Sequence, residues 1–321
     1  MDSIDNLTQI NIECIFHLAD KFCIGSMPTN LCKDKILCNA FFEPSTRTSM
    51  SFESAMLRLG GSVINFNKDS SSLVKGESFE DTIKTIQEFS DVMVLRHPNK
   101  DKIFNATKFS SIPIINGGNG DGEHPTQALI DLYTMKKNID ISKPFNICFV
   151  GDIKHSRTIH SLIKLMAKME LSCNITFCYY PGCNPEQEYK DEVKALLKLD
   201  NIDELPEISE NTERYDIFYC TRFQEERHND NQYDISTQQI NDSILNKMKK
   251  NAIILHPLPR NNEISIEVDK DPRVKYFEQV KNGVYVRMAI LYAILFKELD
   301  NTFYTEEYSY RNQLLSEIHY W

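Results

Sequence analysis

Short apolar runs alternate with amphipathic segments along the first part of the chain. Strands are predicted at 35–42, 62–67 and 91–97, and a further apolar run lies at 110–118. Between and after them, apolar residues recur with helical spacing at 49–59, 78–90 and 125–137. Strands that alternate with helices in this way are typical of a parallel sheet whose strands are joined by crossover helices.

The pattern breaks at 138–144, where no periodicity is visible, and then restarts. Strand patterns follow at 146–152, 174–180, 216–220 and 252–256, with helical patterns at 157–169 and 188–199. A last helix, predicted at 283–299, is apolar on nearly every side, so we expect it to bridge the two parts or to pack across both. The sequence therefore predicts an α/β fold: two doubly wound parallel-sheet domains with three-layer αβα architecture, linked by helices.

Composition narrows the class of partner. The 321 residues carry a formal net charge of −10, which argues against nucleic acid or an anionic membrane as a partner. No apolar stretch is long enough to span a bilayer, and the first residues have no signal-peptide pattern. The nine cysteines include no C-x-x-C pair, so we expect reduced, mostly buried thiols in a cytoplasmic protein without a metal. An anion site in this chain must therefore be built from local groups.

The densest polar cluster lies where the first strand ends and a helix begins. A helix start offers unpaired N–H groups and the positive end of the helix dipole. Pro44 suits that start, and it is followed by side chains that bind oxyanions: Ser45, Thr46, Arg47 and Thr48. One such residue is enough to cap a helix, so four indicate a site suited to phosphate. A capped helix with a solvated arginine is the plainer alternative.

Three more motifs of the first half carry polar chemistry. The loop at 68–77 contains three serines and two lysines, including Lys75, although a flexible solvated loop is the alternative. Arg96 lies at the end of a strand, which is where ligands bind in open parallel sheets. His124 and Gln127 flank a helix start behind a glycine-rich loop, so an imidazole and an amide could contact one small polar group, where a solvated histidine is the alternative.

The second half adds three motifs. Arg157 lies near a helix start without the G-x-G-x-x-G pattern of a dinucleotide site. Arg222 and Gln224 follow a later strand, and in the HPLPR turn at 256–260 two prolines flank Leu258, which leaves backbone carbonyls free to accept from an amine. Surface ion pairing is the alternative for both arginines. Together the motifs predict a site for several anionic groups, with chemistry performed by positioning and electrostatics.

In this order the motifs resemble those of aspartate carbamoyltransferases: F-x-E-x-S-T-R-T (41–48), SSSLVKGES, RHP, GDGEHPTQAL, GD-x-x-x-S-R-T-x-HSL, T-R-x-Q-x-E-R and HPLPR. The resemblance implies a carbamoyl-phosphate-binding domain at 1–138, with a C-terminal helix at 288–321 packing back on it, and an aspartate-binding domain at 139–287. It implies that the amine of L-aspartate attacks the carbamoyl carbon and that phosphate leaves, in pyrimidine biosynthesis. Neither a covalent intermediate nor a cofactor is implied.

The resemblance also assigns site residues. The carbamoyl-phosphate site it implies consists of Ser45, Thr46, Arg47, Thr48, Ser71, Arg96, His124, Gln127, Leu258 and Pro259. The aspartate site it implies consists of Lys75, Arg157, Arg222, Gln224 and Leu258. The residues expected to act in catalysis are Arg47, Thr48, Lys75, Arg96 and His124. In this assignment Arg47 stabilises the leaving phosphate, and His124 is a hydrogen-bond donor rather than a base.

The family works as a homotrimer whose sites are shared, so Ser71 and Lys75 are expected to reach into a neighbouring subunit, with Ser72 as the alternative to Ser71. Ser156 stands where the family usually has glycine, which leaves the turn before Arg157 open. We expect the tail at 302–321 to be an extra packing segment without an assigned function, and the sequence does not decide whether a regulatory chain binds. The rival functions are an ornithine carbamoyltransferase, whose turn typically reads HCLP rather than HPLP, and a catalytically silent homologue.

Overall fold

The computed structural model describes residues 1–208, 211–224 and 238–296. The first half contains four strands: β1 (Ile36–Phe41), β2 (Ser62–Asn67), β3 (Val92–His97) and β4 (Ile114–Asn119). Its helices are α1 (Gln9–Cys23), α2 (Thr46–Arg58), α3 (Phe79–Gln87), α4 (Asp101–Phe109) and α5 (Pro125–Asn138). All four strands are parallel, in the spatial order β2-β1-β3-β4.

The second half repeats the arrangement. Its strands are β5 (Phe145–Gly151), β6 (Cys173–Tyr179), β7 (Asp203–Leu205), β8 (Ile217–Cys220) and β9 (Ile253–Leu255). Its helices are α6 (Arg157–Lys168), α7 (Gln187–Leu197), α8 (Asp242–Leu245) and α9 (Tyr276–Leu295). These strands are also parallel, in the order β7-β6-β5-β8-β9. The two parallel sheets with alternating helices confirm the predicted fold class.

Most predicted elements lie within a few residues of the observed ones, with two notable shifts. The apolar run at 110–118 becomes a strand only from Ile114, because α4 occupies the chain up to Phe109 and Pro113 lies just before the strand. The last helix begins at Tyr276, earlier than either start given for it from the sequence. Residues 297–321, which include most of the predicted 288–321 helix and the whole tail at 302–321, lie outside the described residues.

Helices rather than strands join the two halves. Helix α5 packs on α6, and α9 packs on α1, α2 and α5 while also touching β9. The largest cluster of buried apolar residues accordingly runs through both halves, from Ile4 to Ala293. The carboxyl ends of the strands in both sheets face a common space between the two halves. In the described ranges, no helix combines the length and apolarity that a membrane crossing requires.

Candidate active site

A cavity of 1070 Å³ lies between the two sheets. Its walls come from the segments that follow β1, β3, β4, β5, β8 and β9, together with α9. The carboxyl ends of parallel strands are where ligands bind in open α/β sheets, so the fold itself predicts this location. Of the predicted site residues, the cavity brings together Ser45, Thr46, Arg47, Thr48, Arg96, His124, Gln127, Arg157, Arg222, Gln224, Leu258 and Pro259.

The start of α2 forms one end of the cavity. Ser45 is the N-cap of this helix, but its hydroxyl makes no capping hydrogen bond. The first N–H groups of the helix and the hydroxyls beside them therefore remain available to an anion. Partial desolvation lowers the pKa of Arg47, which is still exposed to solvent, and the nearby charges of Arg96 and Arg222 lower it further. The positive charges of Arg96 and Arg222 thus repel that of Arg47, and an anionic ligand would offset this repulsion.

Arg96 at the end of β3 is held by one carboxylate. Its Nη2 lies 2.7 Å from Oε1 of Glu43, and its Nη1 donates to the carbonyl oxygen of Gly117 at 3.2 Å. The buried Nε of Arg96 has no hydrogen-bond partner among the described residues. Burial lowers the pKa of Arg96, although Glu43 opposes that effect. The Arg96 guanidinium is mostly shielded from water and, within the described structure, has an N–H donor without a protein partner. It can therefore polarise a ligand oxygen strongly.

Arg157 begins α6 and reaches back towards the first sheet. Its Nη1 donates to the carbonyl oxygen of Gly120, and its Nη2 lies 3.8 Å from Oε1 of Glu43. The turn before it tolerates Ser156 because this residue has φ −82°, which any residue adopts, and its hydroxyl accepts from the N–H of Ile159 at the helix start. The departure from the family's glycine therefore leaves Arg157 at the first position of the helix.

His124 lies buried between two threonines. Its Nε2 is 3.4 Å from the hydroxyl of Thr48, and its Nδ1 is 3.4 Å from that of Thr126. Burial lowers the pKa of His124 well below its usual value, and the charges of Arg157 and Arg96 lower it further. The ring is therefore neutral at physiological pH, so it can donate one hydrogen bond but is a poor base.

Gln127 follows Thr126 in the first turn of α5. Its Nε2 donates to Oδ1 of Asp131 at 2.7 Å. Because the amide nitrogen is committed to that carboxylate, the amide oxygen is the end of the side chain left for a ligand. The site thus pairs a donor, His124, with an acceptor, Gln127.

Hydrogen bonds to two buried side chains fix the turn after β9. Nδ1 of His256 accepts from the N–H of Leu258 at 2.7 Å, and Nε2 of the same ring lies 2.8 Å from Oε1 of Glu263. Both His256 and Glu263 are buried. Leu258 has φ +58° and precedes a cis peptide bond to Pro259. Since the N–H of Leu258 is bonded inside the turn, the backbone carbonyls are the polar groups this turn can offer to the cavity.

Arg222 and Gln224 follow β8 and line the same cavity. Arg222 donates from Nη1 to the carbonyl oxygen of Phe223 at 3.0 Å, and the N–H of Gln224 lies 3.4 Å from Oδ2 of Asp152. The chain leaves the described residues immediately afterwards, at 225–237.

Two predicted residues do not belong to this chain's cavity. Ser71 and Lys75 lie in the 3-10 turns after β2, where the hydroxyl of Ser71 donates to the carbonyl oxygen of Lys68 at 2.7 Å and accepts from the N–H of Leu73. Ser72, the alternative, belongs to the same turns. No contact in the described structure separates Ser71 from Ser72, so their assignment stays a prediction.

Three residues that line the cavity beside the predicted site residues were not predicted from the sequence. Glu43 and Gln279 line the cavity, and so does Arg287, a buried cation on α9. Arg287 donates to the hydroxyl of Ser51 at 2.8 Å and lies over the ring of Phe52. A sequence signal for it exists: Arg287 is a single charge within the apolar run 284–296. Over the described ranges, no cluster of His, Cys, Asp and Glu has the arrangement needed to hold a metal ion.

Two family models match the chain. The aspartate/ornithine carbamoyltransferase carbamoyl-P binding domain matches residues 1–137, and the Asp/Orn binding domain of the same family matches residues 143–294. The aspartate carbamoyltransferase catalytic subunit of Picrophilus torridus is 42% identical over 308 residues, which cover 91% of this chain and 97% of that protein. The multifunctional protein ura1 of Schizosaccharomyces pombe is 40% identical, over 91% of this chain but only 13% of that protein.

Solved structures give the same picture. Aspartate transcarbamoylase from Trypanosoma cruzi in complex with N-(phosphonacetyl)-L-aspartic acid matches with a TM-score of 0.83 and 35% identity, covering 92% of this chain and 95% of that one. The same enzyme in complex with carbamoyl phosphate matches with a TM-score of 0.83 and 35% identity over the same shares.

Proposed function

The chain belongs to the aspartate/ornithine carbamoyltransferase family and transfers the carbamoyl group of carbamoyl phosphate to L-aspartate, and we propose that the basic cavity between its two sheets is the site of this reaction. The products are N-carbamoyl-L-aspartate and phosphate, in pyrimidine biosynthesis. One observation carries the assignment of the site: Arg47, Arg96, Arg157 and Arg222 converge on one cavity that also holds a buried, neutral histidine.

The phosphate of the first substrate binds at the start of α2. Its oxygens accept from the free N–H groups of the helix and from the hydroxyls of Ser45, Thr46 and Thr48. Arg47 neutralises the charge that grows on the phosphate as the bond to the carbamoyl carbon breaks. The positive charges of Arg96 and Arg222, which lower the pKa of Arg47, add to the attraction that this end of the cavity exerts on phosphate.

The carbamoyl group lies further in, between Arg96, His124 and Gln127. Arg96 and His124 donate to the carbonyl oxygen, which gains negative charge when the amine attacks. Gln127 accepts from the carbamoyl NH₂ through its amide oxygen. Removing one donor from such an arrangement costs on the order of 10²–10³ in kcat in other enzymes. Positioning and electrostatics therefore suffice, without a covalent intermediate or a cofactor.

L-aspartate is held by the second half of the chain. Arg157 binds the α-carboxylate, while Arg222 and Gln224 bind the side-chain carboxylate. The carbonyls of Leu258 and Pro259 accept from the attacking amine and aim its lone pair at the carbamoyl carbon. A cationic side chain such as that of ornithine would meet Arg222 instead of a carboxylate, which favours aspartate as the acceptor.

Ser71 and Lys75 reach the site of a neighbouring subunit within a homotrimer, the assembly that the family resemblance implies. Two features support this part of the proposal. Among the described strands, β2 lies at an edge of the first sheet. Large apolar side chains around it are exposed: Met50, Leu57, Ile64 and Val74.

All nine cysteines are free, which supports a reducing, cytoplasmic compartment.

A direct assay tests the proposed reaction. Carbamoyl phosphate labelled in the carbamoyl carbon is offered to the purified chain with either L-aspartate or L-ornithine, and the labelled product is identified. Labelled N-carbamoyl-L-aspartate is expected, and Arg47→Ala should abolish it. Labelled product from ornithine alone would overturn the choice of acceptor. Binding of carbamoyl phosphate without turnover of either amine would favour the catalytically silent homologue.

A further inference from the structure

Asp131 lies directly behind Gln127, one turn further along α5. Its carboxylate is fully buried and accepts hydrogen bonds from three side chains on three different elements. Gln127 donates to Oδ1 at 2.7 Å, Gln279 on α9 donates to the same oxygen, and the hydroxyl of Tyr219 on β8 donates to Oδ2 at 2.6 Å. Asp131 does not line the cavity. The position of its carboxylate nevertheless decides which end of the Gln127 amide faces the cavity.

A glutamine amide is polar in opposite senses at its two ends, and its neighbours determine which end points at a ligand. The Oδ1 atom of Asp131 can only accept from Gln127, so it holds the nitrogen. Protonation does not change this, because the Tyr219 hydroxyl can donate to Oδ2 or accept from it. Burial raises the pKa of Asp131 to about 7, and in either protonation state Oδ1 remains an acceptor.

We propose that Asp131 is a specificity-determining positioning residue: it fixes the Gln127 amide so that the oxygen selects the NH₂ of a carbamoyl phosphate over the CH₃ of an acyl phosphate. The inference rests on the proposed function, because it assumes that Gln127 faces the carbamoyl group. The carbamoyl NH₂ is a donor, and a methyl group in its place would cover the oxygen of Gln127 without giving it a hydrogen-bond partner.

The carboxylate is also prevented from rotating. Gln279 bonds to it from α9 while its own Oε1 accepts from the N–H of His256 at 3.1 Å. Tyr219 holds the other oxygen from the second sheet. Asp131 is therefore oriented by groups on both sides of the cavity, and the alignment of Gln127 depends on all of them.

Two stable analogues isolate the effect. Phosphonoacetamide and acetonylphosphonate differ only by NH₂ against CH₃, and inorganic phosphate reports the phosphate end alone. Calorimetry on the trimer would give a Kd for each of these three ligands. It would be carried out on the native chain and on the variants Asp131→Leu, Asp131→Asn and Gln127→Leu. We expect the native chain to prefer the amide by on the order of tenfold to a hundredfold. That preference should disappear in Asp131→Leu and in Gln127→Leu, while the Kd for inorganic phosphate changes by less than about twofold.

The conservative variant provides the rescue. Asp131→Asn keeps an acceptor oxygen towards Gln127 and turns its nitrogen towards the Tyr219 oxygen, so this variant should retain the preference. Asp131→Thr, whose hydroxyl is too short to reach Gln127, repeats the test if Asp131→Leu does not fold. The double variant Gln127→Leu/Asp131→Leu should be no worse than either single one.

Three outcomes would overturn the inference: an unchanged preference in both Asp131→Leu and Asp131→Thr, no preference in the native chain, or an equal loss of affinity for all three ligands. The last result would mean that Asp131 only supports the fold. Carbamoylation of aspartate by the native chain is measured first. Its absence would refute the proposed function, whereas an active native chain with any of the three outcomes refutes this inference alone.

Discussion

The buried cation on α9 allows stability and activity to be separated. Arg287 has 4% of its surface exposed, and burial lowers its pKa from 12.5 to about 9. That change corresponds to roughly 5 kcal/mol against the charged side chain in the folded state. Replacing Arg287 by methionine, which has a similar reach but no charge, removes this cost.

The gain is offset in part. A methionine side chain is not able to replace the hydrogen bond to Ser51 or the contact with the Phe52 ring, which together contribute about 3 kcal/mol. Asp131 would lose a nearby positive charge. Because its pKa is already about 7, it can take up a proton at a cost below about 1 kcal/mol. We therefore expect Arg287→Met to raise the free energy of unfolding by about 1 to 2 kcal/mol at neutral pH.

Activity should move the other way. Arg287 lines the cavity, so its loss removes a cation that faces two anionic substrates. We expect kcat/KM to fall by roughly tenfold to a hundredfold. Urea unfolding and steady-state kinetics on the same preparations check both statements. The stability difference should shrink gradually as the pH rises above about 9, because the native arginine then folds without its proton, and the cost of losing that proton falls as the pH approaches 12.5.

Arg287→Lys is the control, since it keeps a charge and should gain no stability. If Arg287→Met lowered the free energy of unfolding, the contacts with Ser51 and Phe52 would outweigh the buried charge, and the reasoning would be refuted.

Three further expectations follow from the site. Mixing the inactive variants Arg47→Ala and Lys75→Ala under subunit exchange should restore up to about a quarter of native activity, because in the proposed homotrimer a native site needs Arg47 from one variant and Lys75 from the other; no recovery after confirmed exchange would mean self-contained sites. The lowered pKa values of His124 and His160, the latter about 4, should reduce stability as the pH falls below about 6.5, since only the unfolded chain then gains those protons; a flat unfolding midpoint from pH 7 to 5 would contradict this. A bisubstrate analogue with a phosphonate and two carboxylates should decrease the radius of gyration in solution scattering, because it draws both halves onto one ligand; an unchanged profile at saturation would argue against domain closure.

The fold could be predicted from the sequence where structure is set by local pattern. Alternating apolar runs and amphipathic segments indicate most strands and helices, and the turn before Arg157 is explained once Ser156 is seen as a cap. Helix α1 was missed although Thr8 and Asn11 form a capping box at its start. Strand β7 was missed because its three residues are too few to show periodicity.

The candidate site divides in the same way. The motifs at strand ends can be predicted to lie close together, because parallel strands place their carboxyl ends at one edge of a sheet. The residues that pack behind these motifs cannot be predicted in this way. Gln279 and Asp131 are 148 residues apart, and their hydrogen bond depends on how α9 packs on α5. Only the isolated charge of Arg287 provides a sequence signal for that layer. The predicted domain boundaries, the site roles and the shared subunit contacts stay predictions.

The packing of α9 also bears on synthesis by the ribosome. All strands of the first sheet are made more than a hundred residues before α9, yet α9 is what covers α1 and α2 on that sheet. The first half therefore emerges with an apolar face that has no cover until almost all of the described chain has been translated. Domains usually fold one after another during synthesis, from the N-terminus onwards. In this chain the apolar face of the first half is covered only after the last helix has been made. Nascent chains halted before residue 276 should therefore bind chaperones that recognise exposed apolar surface.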